Sequence, residues 1–176
     1  GNGMFSGWGL SWGGWLDNRR GEWWLLAQLL LITAHLLPPW PAPADWGLGM
    51  WPRPVFIVGV LLLLSGFGVA AQAFTALGSS LSPLPEAKQG NRLILQGPYQ
   101  RCRHPMYQAV LLCSLGVALS IGSLLHLILL MGLVAVLGGK ARREERSLLQ
   151  LHPDYAVYRS TTPAIAPGLP WLDWRN

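Results

Sequence analysis

The stretch MYQAVLLCSLGVALSIGSLLHLILLMGLVAVLGG, residues 106–139, contains no lysine, arginine, aspartate or glutamate and decides how this chain folds. About 20 helical residues cross the hydrocarbon core of a bilayer, so this run is too long for a single span. The sequence SIGS at residues 120–123 lies at its midpoint and favours a turn. We therefore predict a hairpin of two antiparallel helices, the second of which continues to Leu151 as one helix.

Two further apolar blocks precede the hairpin, WWLLAQLLLITAHLL at residues 23–37 and VFIVGVLLLLSGFGVAAQAFTAL at residues 55–77. The whole chain has 176 residues, of which 51% are hydrophobic and 12% are charged. A soluble domain carries about 25% charged residues. Because so few charged groups cannot cover a water-exposed surface, the sequence predicts an all-α integral membrane protein.

The distribution of positive charge selects the number of crossings. With four crossings, all lysines and arginines except Arg53 share one face, whereas three crossings would split them nearly evenly. Because lysine and arginine accumulate on the cytoplasmic side, we predict four spans with both termini in the cytoplasm. The residues on the predicted cytoplasmic face are Arg19, Arg20, Lys88, Arg92, Arg101, Arg103, Lys140, Arg142, Arg143, Arg146, Arg159 and Arg175.

One domain with three parts is expected. Residues 1–22 form a Trp-rich interfacial segment, for which a substrate lid is the alternative. Residues 23–77 hold the first two spans. Residues 78–176 hold a cofactor-binding loop, the hairpin and the C-terminal segment. The net charge of +5 follows from this topology, so no nucleic-acid partner is expected. Cys102 and Cys113 are expected to be free thiols, because one lies in a polar cluster and the other inside an apolar helix.

A polar cluster, GPYQRCRHPMYQAV at residues 97–110, stands at the start of the hairpin. Because the two arms are antiparallel, His104 and Tyr107 at one end should face Glu144 and Glu145 at the other. Ionisable groups beside an apolar bundle are paired or functional. The hairpin therefore predicts a polar site at the cytoplasmic boundary.

At these residues the sequence resembles the integral membrane methyltransferases, which include the isoprenylcysteine carboxyl methyltransferases and the phospholipid N-methyltransferases. In that group an Arg-His-Pro-x-Tyr-x-Gly stretch and a distant Glu-Glu pair bind S-adenosylmethionine. The flanks at residues 74–99 and 144–167 resemble bacterial members of the isoprenylcysteine-type branch, so the resemblance covers residues 74–167. Ala109 stands in place of the usual glycine, and His152-Pro153 replaces an aromatic-glycine pair.

The resemblance implies methyl transfer from S-adenosylmethionine, with S-adenosylhomocysteine as product, to a lipophilic acceptor such as a prenylated substrate or a membrane lipid. This chemistry needs no metal; it needs donor and nucleophile aligned about 3 Å apart, away from water. The implied catalytic residues are Arg103 and Glu145. The implied cofactor-binding residues are Gly97, Pro98, Tyr99, Arg103, His104, Pro105, Tyr107, Glu144 and Glu145.

The chemistry of each group suggests a role. The glutamates suit an ammonium or a ribose diol, Arg103 or His104 suits a carboxylate, and Tyr99 and Tyr107 can stack on adenine or on the sulfonium. An acceptor carboxylate would be aimed by the arginine, whereas an amine would need a base such as Glu145. The sequence leaves both acceptors open, as it does the oligomeric state.

Competing interpretations exist for several residues. Arg101 and Arg103 can serve as topology anchors, and the two glutamates can form a solvated, salt-bridged pair. Tyr155 and Tyr158 are interpreted first as membrane-interface anchors, with cofactor lining second. His35 and His126 are interpreted as interfacial or packing residues and not as ligands, and Gly66 and Gly68 as close-packing residues.

Two other functions compete with methyl transfer. One is a membrane reductase or isomerase, whose haem-bearing form would use His35, His104 or His126 as axial ligands. The other is a non-catalytic lipid-binding membrane protein.

Overall fold

A computed structural model describes residues 21–41, 51–77, 95 and 97–176 of the protein. Over these residues the fold is all-helical. The segment predicted at residues 1–22, apart from its last two residues, and the loop residues Lys88 and Arg92 lie outside the described ranges. The helices are α1 (Glu22–Ala34), α2 (Arg53–Leu77), a 3-10 turn (Gly97–Gln100), α3 (Pro105–Ile121), α4 (Leu124–Leu151) and α5 (Tyr155–Thr161).

The predicted hairpin is confirmed as α3 and α4, which pack against each other. Gly122 closes α3 with φ +65°, a left-handed conformation that favours glycine. Ser123 then caps α4, and its hydroxyl accepts a hydrogen bond from the His126 N–H at 3.3 Å. Pro105 occupies the first turn of α3, where its missing N–H costs nothing. Helix α4 runs unbroken to Leu151, as expected.

Helix α1 ends at Ala34, three residues before the end of its apolar block. Residues 35–37 form a turn ahead of Pro38 and Pro39, since a residue before proline is disfavoured in helical geometry. Helix α1 packs on α4, and α2 packs on α3. The bundle is thus built outward from the hairpin.

Glycines form the contact between α2 and α3. A Cβ on Gly59 would lie 2.5 Å from the Ser120 hydroxyl, and one on Gly66 would lie 2.5 Å from the Cys113 sulfur. Gly116 lies directly across from Gly59. The close-packing prediction is confirmed for Gly66 and wrong for Gly68, where an added Cβ would meet no described residue within 4 Å.

The glycine pair of α4 serves packing as well. The Trp24 ring lies against Gly139, and the Trp171 ring lies against Gly138. Trp171 also donates its indole N–H to the Val134 carbonyl at 3.0 Å. Each glycine is a poor helix former, and each here accommodates an indole ring that a side chain would displace.

The histidines of α1 and α4 lie together near the hairpin turn. His35 is bonded to the Ser114 hydroxyl at 2.7 Å and to the Leu31 carbonyl at 2.7 Å. His126 is fully buried and is bonded to the Ser123 hydroxyl at 2.7 Å and to the His35 carbonyl at 3.1 Å. All four ring nitrogens are therefore engaged, which confirms the interpretation of both histidines as packing residues.

The chain returns to the start of α3 after α5. The N–H groups of Arg103 and His104 donate to the carbonyls of Pro163 and Ala164 at 2.8 and 3.0 Å. These bonds satisfy amides at the start of α3 that no helical carbonyl can reach. Residues Ile165 and Leu172 of the returning segment are buried in the core beside α3 and α4. The return places the last fifteen residues over the polar end of the hairpin.

Helices α2 and α4 are long and apolar enough to cross a membrane, and 18-residue stretches within them have mean hydropathies of 2.3 and 2.0. Helices α1 and α3, of 13 and 17 residues, are apolar but shorter. Phe56, Leu64 and Phe67 of α2 are largely exposed, and an apolar face of this kind is typical of contact with lipid or a partner. These features indicate association with a membrane.

Candidate functional site

Two helix ends and the returning segment build the candidate site. Arg103 and His104 immediately precede α3, where the 3-10 turn and the left-handed Gly97, with φ +61°, turn the chain. Glu144 and Glu145 lie near the end of α4. Antiparallel packing brings these ends together, as predicted from the hairpin.

The Glu145 carboxylate is the centre of the site and is 2% exposed. Arg103 Nη1 donates to both of its oxygens at 2.8 and 2.6 Å, and His104 Nε2 donates at 2.9 Å. The Tyr155 hydroxyl donates at 2.7 Å and the Trp174 indole N–H at 2.6 Å. A carboxylate has about four lone-pair positions, so Glu145 has no capacity left. We call these five residues the Glu145 cluster.

The Arg103 guanidinium donates from each of its three nitrogens. Its Nε donates to the Thr162 carbonyl at 3.0 Å, and its Nη2 donates to the Trp174 carbonyl. Arg103 is 3% exposed, and the Trp174 ring lies 5.1 Å from its central carbon. A buried ion pair needs such extra hydrogen bonds to offset the cost of removing two charges from water.

Glu144 belongs to a second, less saturated group. Among the described residues its hydrogen bond comes from the Tyr107 hydroxyl, at 3.0 Å. The buried Lys140 ammonium lies 5.2 Å from the centre of the Tyr107 ring and donates to the Gln28 amide oxygen of α1. Adjacent residues of a helix point about 100° apart, so the two glutamates reach different partners.

His104 joins the two groups through its ring. The ring lies parallel to Tyr107, with centroids 5.5 Å apart and 6° between the planes. The same ring is stacked on Trp174, with centroids 5.9 Å apart and 27° between the planes. This geometry fixes the imidazole while its Nε2–H is held by Glu145.

Three tyrosines outside the long helices contribute hydrogen-bond donors. Burial raises the pKa of Tyr99, Tyr155 and Tyr158 well above the usual range, so each phenol keeps its proton. Tyr158 donates to the Tyr99 carbonyl. Interpreting Tyr155 as a membrane-interface anchor was wrong: the ring is 2% exposed, because its hydroxyl is drawn inward by Glu145.

Both cysteines are free thiols, as predicted. Cys102 is buried below the site and donates its S–H to the Ala164 carbonyl at 3.0 Å. Burial raises the pKa of this thiol to about 11. At neutral pH it is therefore a protonated packing residue, since the thiolate is the reactive form.

A cleft of about 370 Å³ opens beside the Glu145 cluster. Its size lies at the low end of the range for small-molecule sites. We call it the arginine cleft, and its lining residues are Arg142, Glu145, Arg146, Arg159, Trp174 and Asn176.

The final segment of the chain, residues 171–176, forms one wall of the arginine cleft and is firmly held. Asp173 accepts hydrogen bonds from Arg175 and from the N–H groups of Ala164 and Gly168, which lower its pKa to about 2. Arg142 lies between the rings of Trp171 and Trp174, at 3.8 and 4.0 Å from their centres. The wall is therefore part of the fold.

The structure brings together most of the residues that the sequence nominated. Arg103, His104, Tyr107, Glu144 and Glu145 are in mutual contact. Gly97, Pro98 and Tyr99 lie in the 3-10 turn that leads to them, and Pro105 begins α3; within the described part of the chain, none of these four is hydrogen-bonded to either glutamate. Ala109, found in place of glycine, is buried, and its carbonyl lies against Gly66 of α2.

Sequence reasoning missed Trp174, Thr162 and the cleft arginines Arg142 and Arg159. Trp174 stands in a short polar tail, WLDWRN, where no periodicity marks it as part of a site. In the sequence, only the segment DYAVY at residues 154–158, which contains Tyr155 and Tyr158, signalled that the chain after α4 contributes to the site.

Residues 54–153 match the family model described as phospholipid methyltransferase. The chain belongs to the phospholipid methyltransferase family. The match covers nearly all of α2, α3 and α4, and with them the Arg103–His104 corner and both glutamates. This membership indicates a membrane methyltransferase, in agreement with the resemblance found in the sequence. Tyr155, Thr162 and Trp174 lie beyond the matched range.

Among curated proteins, the family member described here is similar to the cobalt-zinc-cadmium resistance protein CzcN of Cupriavidus metallidurans. The two are 32% identical over 122 residues, which are 69% of this chain. The same alignment covers 53% of the relative, so this chain spans about half its length. No solved structure is significantly similar to the chain.

Proposed function

We propose that this protein transfers a methyl group from S-adenosylmethionine to a lipophilic acceptor dissolved in the membrane. The observation that carries the proposal is the position of the Glu145 cluster. It joins buried charged groups, an open arginine cleft and the end of an apolar hairpin within one site. A water-soluble donor and a membrane-dissolved acceptor must meet at such a boundary.

The residues present fit the donor, which carries an ammonium, a carboxylate, two ribose hydroxyls and an adenine. Glu144 retains acceptor capacity for the ammonium or the ribose, and the Tyr107 ring beside it suits a cation. Arg159, which lines the cleft, also has a buried Nε with no hydrogen-bond partner among the described residues. When bound, S-adenosylmethionine supplies an electrophilic methyl group.

Arg103 and Glu145 serve this reaction as an ion pair that positions the site. The acceptor positions of Glu145 are filled, and each guanidinium nitrogen of Arg103 already donates within the protein. Through the pair, His104 and Trp174 are held in place. The expectation that Glu145 acts as a base is refined accordingly, because the geometry favours a role for Glu145 in positioning the site.

The acceptor proposed is an anionic oxygen nucleophile, such as the carboxylate of an isoprenylcysteine-like lipid. Lys140 supports this choice, because it is a buried cation on the side of α4 that packs on α1. A cation there attracts a carboxylate and repels a protonated amine. We further propose that the acceptor enters between the helices from the lipid, in a four-span inner-membrane protein whose site opens to the cytoplasm.

The test uses the purified protein in lipid nanodiscs, incubated with S-adenosylmethionine labelled on its methyl group. We expect label in the organic extract with the wild type and none with His104→Ala. Arg101→Gln is the matched control, because Arg101 is exposed and is bonded to Gln72 of α2. Mild alkali should release the label as methanol if the product is an ester, and should leave an N-methyl group in place. An organic extract without label would contradict the proposed function.

A further inference from the structure

The arginine cleft brings three guanidinium groups together. Arg142, Arg146 and Arg159 line it beside one acidic side chain, Glu145, which is already paired with Arg103. The Nε of Arg159 is buried without a hydrogen-bond partner among the described residues. A buried unsatisfied donor costs free energy, and an anionic ligand oxygen would satisfy it.

The three arginines differ in how tightly the protein holds their side chains. Arg142 is fixed between two indole rings and donates to the Gly138 and Trp171 carbonyls at 3.1 Å. Arg146 is exposed and Arg159 is half-buried, so both can turn a guanidinium fork toward a ligand. Arg142 therefore supplies a fixed positive charge, while Arg146 and Arg159 supply hydrogen bonds.

Arg103, the arginine of the family motif, is unsuited to binding an anion in this arrangement. Each of its three guanidinium nitrogens already donates to Glu145, to Thr162 or to the Trp174 carbonyl. Binding an external carboxylate there would break a buried ion pair and leave Glu145 uncompensated.

We infer that the arginine cleft binds the α-carboxylate of the methyl donor, through Arg146 and Arg159. An α-amino acid carries its carboxylate beside an ammonium, so its site needs cations next to a carboxylate. The cleft supplies the guanidinium groups, and Glu144, which directly precedes the cleft residue Glu145 on α4, keeps acceptor capacity for the ammonium. A fork of two parallel N–H groups matches a carboxylate through two hydrogen bonds. This inference rests on the proposed function and assigns one end of its donor.

The test compares S-adenosylmethionine with its decarboxylated analogue, which keeps the sulfonium, the adenosine and the amine but lacks the carboxylate. Affinities are measured by calorimetry on the full chain in detergent, with no acceptor added. We expect the wild type to bind S-adenosylmethionine about tenfold or more tightly than the analogue, as for the loss of hydrogen bonds to a charged group. Arg146→Gln and Arg159→Gln should each weaken the binding of S-adenosylmethionine and leave the binding of the analogue nearly unchanged.

Two variants keep the test interpretable. Arg146 is exposed, so Arg146→Gln should fold normally even if Arg159→Gln does not. Arg101→Gln removes an exposed arginine outside the cleft and should bind both ligands as the wild type does.

Equal affinity of the wild type for both ligands would overturn this inference and leave the proposed function standing. Variants that weaken the binding of both ligands alike would also overturn this inference. That outcome is expected if the cleft instead holds the acceptor or an anionic lipid headgroup. Failure of the wild type to bind either ligand would overturn the proposed function and this inference together.

Discussion

Glu145 shows how a buried charge is stabilised inside an otherwise apolar bundle. Arg103 and His104, at the start of α3, donate hydrogen bonds to its carboxylate. Tyr155 of α5 and Trp174 of the final segment donate the others. A carboxylate transferred to a low-dielectric interior without such partners would be very unfavourable. The cluster therefore holds four separate parts of the chain in register.

Replacing Glu145 by glutamine should destabilise the protein strongly. The charge of Arg103 would remain buried without its partner, and an amide N–H₂ would meet the donors that Glu145 now accepts. Removing one partner of a buried pair costs about 3–5 kcal/mol. The measurement is the unfolding midpoint in detergent.

Glu144→Gln is the matched control, since Glu144 is half-buried and accepts its described hydrogen bond from Tyr107. It should cost about 1 kcal/mol, the typical net value of one hydrogen bond. Equal midpoints for the two variants would show that the Glu145 cluster contributes little to stability.

At the scale of the helices, α2 and α3 form the closest contact, and glycine makes it close. Gly59, Gly66 and Gly116 bring the two backbones to distances at which a Cβ would overlap the neighbouring helix. In lipid such helices gain little from the hydrophobic effect, so their association depends on close packing of small residues. This contact supports α3, and α3 carries the Arg103–His104 corner at its start.

Gly59→Ala should weaken the packing of α2 on α3. The new Cβ would lie 2.6 Å from the Ser120 amide and 2.7 Å from the Gly116 carbonyl, and neither backbone atom can move without shifting a helix. Overpacking of this kind costs about 1–3 kcal/mol. The loss is measured as a lower unfolding midpoint.

Gly68→Ala offers a control in the same helix, because no atom of the described part of the chain lies within 4 Å of its Cβ position. Its effect should stay within about 0.5 kcal/mol. If both variants unfold alike, the glycine contact is not what holds α2 to α3.

At the scale of the whole molecule, the hairpin separates two polar regions. One end holds the Glu145 cluster and the arginine cleft, and the other holds His35, His126 and the turn at Gly122. The length of α4, about 42 Å for its 28 residues, is enough to carry its charged end beyond the hydrocarbon core of a bilayer. This arrangement is the basis for the proposed four-span topology.

The topology predicts which positions are accessible from each side of the membrane. In a background with both cysteines replaced by alanine, Gln100→Cys and Gln150→Cys should react with a membrane-impermeant maleimide from the cytoplasmic side. Pro39→Cys, near the hairpin turn, should react from the opposite side. All three positions are exposed, so lack of reaction reflects the side and not burial. Labelling of Pro39→Cys and Gln100→Cys from the same side would contradict the topology.

The sequence by itself determined the hairpin, its turn at residues 120–123 and the meeting of the Arg103–His104 corner with the two glutamates. These features follow from local rules: the length of an apolar run, a glycine where a left-handed turn is needed, and antiparallel packing. Such rules place helix ends beside each other without any knowledge of side-chain contacts.

Only the tertiary structure decided which glutamate becomes the buried centre and which arginines line the cleft. Glu144 and Glu145 are neighbours in the chain and lie on different faces of α4, and spacing alone does not say which face meets Arg103. Trp174 and Tyr155 complete the cluster because the chain after α4 folds back through backbone bonds to α3. Such long-range contacts depend on the packing of the whole bundle, and no local pattern in the sequence encodes them.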